Sequence, residues 1–314
     1  MKNKTVLITG AAGYLGSHLA KTFKKSGWKI VGLCHKRQTG NPYIDMVHYA
    51  DIRDPNAINQ LFDHFEFDLV VHLAGRIEAG ISFQEPTEFY SVNTGGTCNL
   101  INSMWHHNVK NIIYSSTSAV YKAKNTPISE NDEKCNNSPY ANSKLCAEQA
   151  IEASGLNYVI FRYFNLTGAD PDGEFGEAHE PETHLIPKLI IDHNSFQLNG
   201  NDYNTPDGTC IRDYVHVMDI AEAHINAAKY LLEGNKSITM NLGTEHGHSI
   251  LQIIKALEKI INRKINYKVN QRRAGDTDSL IADISLAKKT INYSPKYDIS
   301  DILKTAHDWH NSTK

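Results

Sequence analysis

Residues 5–19 read TVLITGAAGYLGSHL, and the fold turns on how this stretch is read. Thr5–Thr9 are β-branched or aliphatic throughout, the composition of a short buried strand. The chain then passes Gly10-Ala11-Ala12-Gly13-Tyr14-Leu15-Gly16 and enters a helix-like stretch over 14–26. In such a turn one glycine permits the tight bend and one lets backbone amides approach a pyrophosphate. The third lets the helix pack against the sheet while its N-terminus faces the phosphates. Taken alone, the pattern also fits a structural turn. It gains weight here because it joins the first strand to the first helix.

Working outward, apolar runs alternate with helical periodicity through the first half. Strands are predicted at 5–9, 29–34, 46–50, 68–73, 111–116 and 157–162, and helices at 14–26, 55–65, 88–107 and 139–153. This rhythm predicts βαβ units, and DLVVHL (68–73) lacks the polar alternation of a sheet with one wet face. After Arg162 the rhythm breaks into a Gly-, Pro- and acid-rich loop over 165–184, then helices near 218–233, 249–261 and 300–311. The fold class expected is α/β: a doubly wound parallel sheet over 1–164, then a smaller C-terminal α/β substrate domain over 165–314. The segment at about 212–233 is expected to pack back on the first domain.

Bulk properties narrow the partners. The 314 residues hold 32 Lys+Arg against 35 Asp+Glu, a formal charge of −3, so the basic excess of a phosphate-backbone binder is missing. With 40% hydrophobic and 21% charged residues the composition is globular. No run of 18 apolar residues is present, so no membrane span is expected, and the N-terminal apolar stretch runs into the glycine turn as a strand and not as a signal peptide. Cys34, Cys98, Cys135, Cys146 and Cys210 are scattered, without CxxC spacing. They indicate neither a disulfide framework nor zinc, and a cytoplasmic setting is the expectation.

A second cluster carries the chemistry. Tyr140-Ala-Asn-Ser-Lys144 opens a helix after Ser138-Pro139, with Ser138 as N-cap and Pro139 in the first turn. Spacing i, i+4 puts both side chains on one helical face. To act as a base near neutrality a phenol must drop its pKa by roughly 3, about 4 kcal/mol. A neighbouring ammonium and a cationic nicotinamide would stabilise the phenolate. The fifth strand ends Tyr114-Ser115-Ser116-Thr117, delivering hydroxyls to the carboxyl edge of the sheet, where ligands bind in this class.

The chain resembles the extended short-chain dehydrogenase/reductases, and within them the UDP-glucose 4-epimerase family, over nearly its full length. The general landmarks are TGAAGYLGSH (9–18), ADIRD (50–54), HLAG (72–75), VNTGGT (92–97), SSTSAVY (115–121) and SPYANSK (138–144). Those that point to sugar-nucleotide epimerases are RYFNLTGADPDGEFGE (162–177), ETHLIP (182–187), GNDYNTPDGTCIRDYVHVMDIA (200–221), NLGT (241–244) and RRAGD (272–276). The resemblance implies an NAD-dependent isomerase that inverts C4 of a UDP-hexose through a transient 4-keto sugar. UDP-glucose and UDP-galactose are the implied pair, with the N-acetylhexosamine forms open. It also implies a homodimer built through helices of the first domain.

Carried over by position, the resemblance makes Tyr140 the catalytic base, Lys144 its electrostatic partner and ribose contact, and Thr117 the hydroxyl that bonds the reacting sugar oxygen. Gly10, Gly13, Tyr14, Leu15 and Gly16 would underlie the pyrophosphate, and Asp51 and Ile52 the adenine. Leu73, Ala74, Gly75, Asn93 and Phe164 would line the rest of the cofactor. Asn165, Leu185, Arg212, Arg273 and Asp276 would hold UDP, the arginine forks matching diphosphate oxygens. Leu280 occupies the place that gates the sugar's 2-substituent, where leucine leaves room for an acetamido group.

One departure bears on the cofactor. The second strand ends Leu33-Cys34-His35-Lys36-Arg37, with Cys34 where the family commonly has the acid that holds the adenosine ribose. The residues alone leave two readings open: NADP met by Lys36 or Arg37, or NAD held by other contacts. The resemblance favours NAD. A 4-keto-reductase and a 4,6-dehydratase share Tyr140 and Lys144; the dehydratases place an Asp-Glu pair where this chain has Ser118 and Ala119. A non-catalytic dinucleotide-sensing module is the reading from another class, opposed by the intact Tyr140, Lys144 and Thr117. His179, Glu180, Glu182 and His184 are metal-ligating residue types, but the prolines and glycines around them deny a helical ligand spacing, and no metal is expected.

Overall fold

The computed structural model describes residues 4–35, 39–124, 126–135, 137–179, 182–192, 194–272 and 277–312. In chain order the elements begin β1 (Thr5–Thr9), α1 (Tyr14–Lys25), β2 (Lys29–Cys34), β3 (Met46–Tyr49), α2 (Pro55–His64) and β4 (Leu69–His72). They continue through α3 (Pro86–Phe89), α4 (Gly96–His106), β5 (Asn111–Thr117), α5 (Pro139–Ala153), β6 (Asn157–Tyr163) and β7 (Asn165–Thr167). Next come α6 (Leu185–Ile191), β8 (Phe196–Asn199), β9 (Ile211–His216), α7 (Val217–Leu232) and β10 (Ile238–Leu242). The last are β11 (Gly247–Ser249), α8 (Ile250–Ile261), β12 (Tyr267–Asn270), β13 (Ser279–Leu280), α9 (Ser285–Ile291) and α10 (Ile299–Ser312).

Seven strands form one sheet in the order β3-β2-β1-β4-β5-β6-β10. The pairings of β1 with β2 and β4, of β2 with β3, and of β4 with β5 are parallel. Chain direction across the sheet therefore reverses beside β1, and the crevice at the carboxyl ends of β1 and β4 is the ligand position of a doubly wound sheet. Central strands β1, β4, β5 and β6 are buried along most of their length. One face packs Leu7, Val31, Val70 and Ile112 against Ile58, Leu61, Leu100, Met104, Ala147 and Ile151 of the helices. The doubly wound sheet expected from the residues is the one found.

The contacts divide the chain into two compact units. The first comprises 1–120, 134–162 and 221–240, and the second 121–133, 163–220 and 241–314. Within the second, β9 pairs with β7, β11 and β13 in a four-stranded sheet, and β8 pairs with β12. Its core gathers Ile186, Leu189, Leu198, Tyr214, Ile253, Leu257, Ile302 and Leu303.

Two expectations need correction. The helix predicted over 88–107 is three pieces: α3, a π-helical segment Tyr90–Gly95, and α4. Asn93 Nδ2 donates to Ser143 Oγ at 2.9 Å and Thr94 Oγ1 to the Ser143 carbonyl at 2.9 Å, so α5 draws this turn toward itself. The widened turn is the form such insertions take at functional sites. The stretch read as a loop over 165–184 begins with β7, whose Asn165, Leu166 and Thr167 pair in register with Tyr214, Val215 and His216.

Candidate active site

The glycine turn is built as its spacing requires. Gly10 has φ +71°, a conformation that side chains disfavour, and its amide bonds the Leu33 carbonyl at 2.9 Å. A Cβ on Gly16 would sit 2.3 Å from the Gly10 carbonyl oxygen, so only glycine lets α1 approach so closely. Tyr14, Leu15 and Gly16 form the first turn of α1, which has neither a side-chain cap nor an acidic residue. The backbone amides of a helix N-terminus and the helix dipole suit a pyrophosphate.

Behind the turn runs a buried hydrogen-bond chain whose direction can be deduced. Thr9 Oγ1 accepts from the amides of Leu73 and Ala74, both at 3.1 Å, so its proton goes to His72 Nδ1 at 2.7 Å. His72 must then carry its proton on Nε2 and donate to Thr97 Oγ1 at 2.9 Å, which in turn donates to the Asn93 carbonyl at 2.6 Å. Burial, with the nearby Lys144 charge, holds His72 down to about 3, so this tautomer persists across physiological pH. Asn93 Oδ1 accepts from the Arg76 amide at 2.8 Å. A Cβ at Gly75 would meet that same Oδ1 at 2.8 Å and lie 3.8 Å from Lys144 Nζ, so Gly75, Asn93 and Lys144 converge.

Beside the turn lies a cavity of about 380 Å³ lined by Gly10, Leu33–His35, Ala50–Arg53, Ala74–Arg76, Glu88 and Val92. It contains Gly10, Asp51, Ile52, Ala74 and Gly75 of the expected cofactor set. Burial pushes the Cys34 thiol up, so it stays neutral and offers no charge to a ribose. Asp51 is held down to about 2, chiefly by the Arg53 guanidinium, which donates to it at 2.6 Å and to Glu88 at 2.9 Å. His35 Nε2 lies 3.3 Å from the same Asp51 carboxylate. Lys36 and Arg37 lie outside the described residues.

Tyr140 and Lys144 stand on the first turns of α5, which Ser138 caps through its hydroxyl to the Ala141 amide at 3.1 Å. Lys144 is 4% exposed, and its Nζ lies 4.5 Å from the centroid of the Tyr114 ring. Burial pulls this ammonium down to about 7, with the Glu148 carboxylate opposing the shift. Burial pushes the Tyr140 phenol up, although its hydrogen bond with Thr117 pulls the other way. The ammonium therefore does not by itself activate the phenol. The physical reason is that both ionised forms lose hydration in the same pocket.

A fixture under α5 was not anticipated from the residues. Glu148, 1% exposed, receives Arg162 Nε at 3.0 Å and Nη2 at 2.5 Å, and it also accepts from the Ser116 hydroxyl. The bond from Ser116 ties α5 to β5 one residue before Thr117, and the fork from Arg162 ties it to β6. Glu148 stands four residues after Lys144, a spacing that also describes an ordinary surface charge pair.

The second unit holds the residues expected to bind nucleotide. Asn165 starts β7 opposite Tyr214 of β9, and Leu280 of β13 is in register with Arg212 of the same strand. Arg212 Nη1 donates to the carbonyls of Ile211 at 2.8 Å and Thr277 at 2.9 Å. Next to it, buried Asp213 accepts from the amides of Thr244, Glu245 and Ala282 at 2.8, 3.0 and 3.1 Å, fastening β9 to its neighbours. Leu185 is the first residue of α6. Phe164 is buried, with its amide donating to the Leu242 carbonyl at 3.0 Å. Arg273 and Asp276 lie outside the described residues.

Among known proteins, the UDP-glucose 4-epimerase of Lacticaseibacillus casei is 39% identical, the match covering 98% of this chain and 97% of the relative. A crystal structure of UDP-glucose 4-epimerase from Bifidobacterium longum in complex with NAD+ and UDP superposes with a TM-score of 0.93 at 32% identity, covering 98% of each chain. The UDP-Glc/GlcNAc 4-epimerase from Campylobacter jejuni superposes with a TM-score of 0.85 at 34% identity, covering 99% of this chain and all of the other. Residues 6–243 match the NAD dependent epimerase/dehydratase family. With the glycine turn, the Tyr140–Lys144 helix and full-length relatives all in agreement, the chain belongs to the NAD-dependent epimerase/dehydratase family.

Proposed function

We propose that the chain is a UDP-glucose 4-epimerase: an NAD-dependent isomerase that inverts C4 of a UDP-hexose through a 4-keto sugar. The observation that carries the reading is the convergence of Tyr140, Thr117, Lys144 and Asn93 beside a glycine turn able to cradle a pyrophosphate. When bound, NAD supplies the acceptor, and on return the donor, of the C4 hydride. Tyr140 takes the proton of the sugar's 4-hydroxyl and later returns it, acting as base and then as acid. Thr117 holds the 4-oxygen through its hydroxyl, and Lys144 steadies the phenolate and the cofactor ribose. Tyr14, Leu15 and Gly16 offer amides to the pyrophosphate, while Asp51 and Ile52 border the adenine side and Phe164 the nicotinamide side. Asn165, Leu185, Arg212, Arg273 and Asp276 hold the UDP, so that the sugar is free to turn.

Cofactor choice follows from the lining of the 380 Å³ cavity. Arg53, a cation that would meet a 2′-phosphate, is already bound to Asp51 and Glu88, which favours NAD. Ser118 and Ala119 form a short 3₁₀ turn with no ionisable side chain, so the extra acid and base of a dehydratase are missing at that place. No helix among the described residues is long and apolar enough to cross a membrane. None of the five cysteines is in a disulfide, which fits a reducing, cytoplasmic setting. A homodimer through first-unit helices completes the reading, and half-exposed Trp105 on α4 suits such a contact.

The test is incubation of purified protein, without added reductant, with UDP-glucose, UDP-galactose and their N-acetyl forms. Interconversion with no net NADH or NADPH change is the expected result. Consumption of NADPH with a 4-keto sugar nucleotide, and no interconversion, would replace the epimerase by a reductase.

The same panel tests the Leu280 gate. A Leu280→Tyr variant should keep turnover of UDP-galactose while its kcat/KM for the N-acetyl pair falls at least about 10-fold, as expected for a group that no longer fits its pocket. Equal loss on both pairs would remove the gating role.

A further inference from the structure

A third group of chemistry-bearing side chains is assembled by a loop. On the path from β7 to α6, Glu177, His179, Glu182 and His184 each present one ligand-type atom, and these atoms all lie within 4.8 Å of one another. Glu177 is 3% exposed, with its Oε1 bonded to His184 Nδ1 and its Oε2 buried without a hydrogen-bond partner among the described residues. His179 Nδ1 is likewise buried and unpartnered in that sense, 3.5 Å from Glu177 Oε1 and 3.7 Å from Glu182 Oε2. Glu182 is already oriented: its Oε1 accepts from the amides of Thr183 at 2.8 Å and His184 at 2.9 Å. Glu180, counted with this group in the sequence, lies outside the described residues, and Glu177 replaces it.

Two imidazoles and two carboxylates make a borderline nitrogen–oxygen donor set, which suits zinc-class cations and not calcium or magnesium, whose sites are all oxygen. Bonds of about 2.0–2.2 Å directed to a tetrahedron separate neighbouring donors by roughly 3.4 Å. The separations of 3.5 and 3.7 Å from His179 Nδ1 to Glu177 Oε1 and Glu182 Oε2 are close to that value. For both Glu177 and His184 to ligate, the hydrogen bond between Glu177 Oε1 and His184 Nδ1 has to open, or Glu177 has to turn its Oε2 to the cation. A buried carboxylate oxygen of Glu177 with no hydrogen-bond partner among the described residues, and a buried imidazole nitrogen of His179 that meets carboxylates only at 3.5 and 3.7 Å, are atoms a cation would satisfy. Backbone amides on Glu182 play the part of the outer contacts that orient metal ligands.

We propose that Glu177, His179, Glu182 and His184 bind one divalent transition cation of the zinc class. With all four positions filled by protein the site is structural, and it clamps the loop that leads into Leu185 and α6. The sequence argument against a metal included the absence of helical spacing; here a loop gathers the ligand-type atoms instead, and Glu177 raises their number among the described residues to four. The proposal is independent of the epimerase reading, and its test does not use turnover.

Full-length protein is stripped with a chelator, reloaded with Co2+ or Zn2+ alone, passed through gel filtration and measured for metal and visible absorption. One equivalent per chain is expected, with Co2+ bands of four-coordinate geometry and two paramagnetically shifted imidazole N–H resonances in the wild-type protein. Glu177→Gln and His179→Gln should each weaken binding by more than about 10-fold, the lower bound for disturbing even an outer contact. Asp172→Asn, in the exposed acidic group nearby, should leave it intact. Failure of wild-type protein to retain an equivalent would overturn the proposal, as would the wild-type Co2+ spectrum persisting in both ligand variants. The wild-type resonances decide the matter even where a variant does not fold.

Discussion

Replacing Tyr140 with phenylalanine should cut turnover of UDP-galactose by at least ~100-fold, the low end for removal of an acid–base group, while cofactor binding stays nearly intact. Tyr140 stands on the capped first turn of α5, and only its hydroxyl, hydrogen-bonded with Thr117, is lost. A second readout separates chemistry from structure. Burial pushes this phenol up and Lys144 down to about 7, so the protein alone keeps Tyr140 neutral at pH 7, and Lys144 loses its proton as pH rises through neutrality. Binding a cationic nicotinamide nearby adds a positive charge, which favours phenolate and lowers the pKa of the phenol. An ultraviolet phenolate titration should therefore contain one component that moves to lower pH on loading with NAD and vanishes in Tyr140→Phe. Turnover within a few-fold of wild type in that variant would remove Tyr140 from the reaction, whatever the titration shows.

The activation of Tyr140 also marks where sequence reading stops. Spacing placed Tyr140 and Lys144 on one face, and the structure agrees. It did not report that both sit in a dehydrated pocket, because desolvation is a property of what surrounds a helix and not of the helix itself. The first βα turn was legible for the opposite reason: Gly10 and Gly16 are demanded by backbone approach within a dozen residues. The π-helical turn at 90–95 was hidden, since its apolar spacing is that of an α-helix and its cause lies fifty residues away at Ser143. In the second unit, two- to six-residue strands pair across long separations, β9 with β13 and β8 with β12, and local pattern carries little of that information. That a loop brings His179 and His184 together with Glu177 and Glu182 is likewise absent from helical spacing, since loop geometry leaves no periodic signal in the sequence.

Arg162→Met should destabilise the first unit by about 3–5 kcal/mol, because it leaves the Glu148 carboxylate buried without its cation. Glu148 is 1% exposed and Arg162 3%, and water cannot replace either partner without opening the helix. The chain has two compact units, so a single unfolding transition is not the right measure. Hydrogen exchange of the β5, α5 and β6 amides reports the same quantity locally, and at about 1.36 kcal/mol per tenfold those amides should exchange about 10²–10⁴-fold faster. Replacing both partners, Glu148→Met with Arg162→Met, should recover much of the loss, since an apolar pair of similar volume removes the stranded charge. Ser116 would then lose its acceptor, so recovery should stay incomplete by about 1 kcal/mol. The pair sits one turn below Lys144 and beside Thr117, so its loss should also depress kcat before it affects cofactor binding. Unchanged exchange at β5 and β6 in Arg162→Met would show that α5 is held by apolar packing alone, and the ion pair would then have no part in positioning Tyr140 and Lys144.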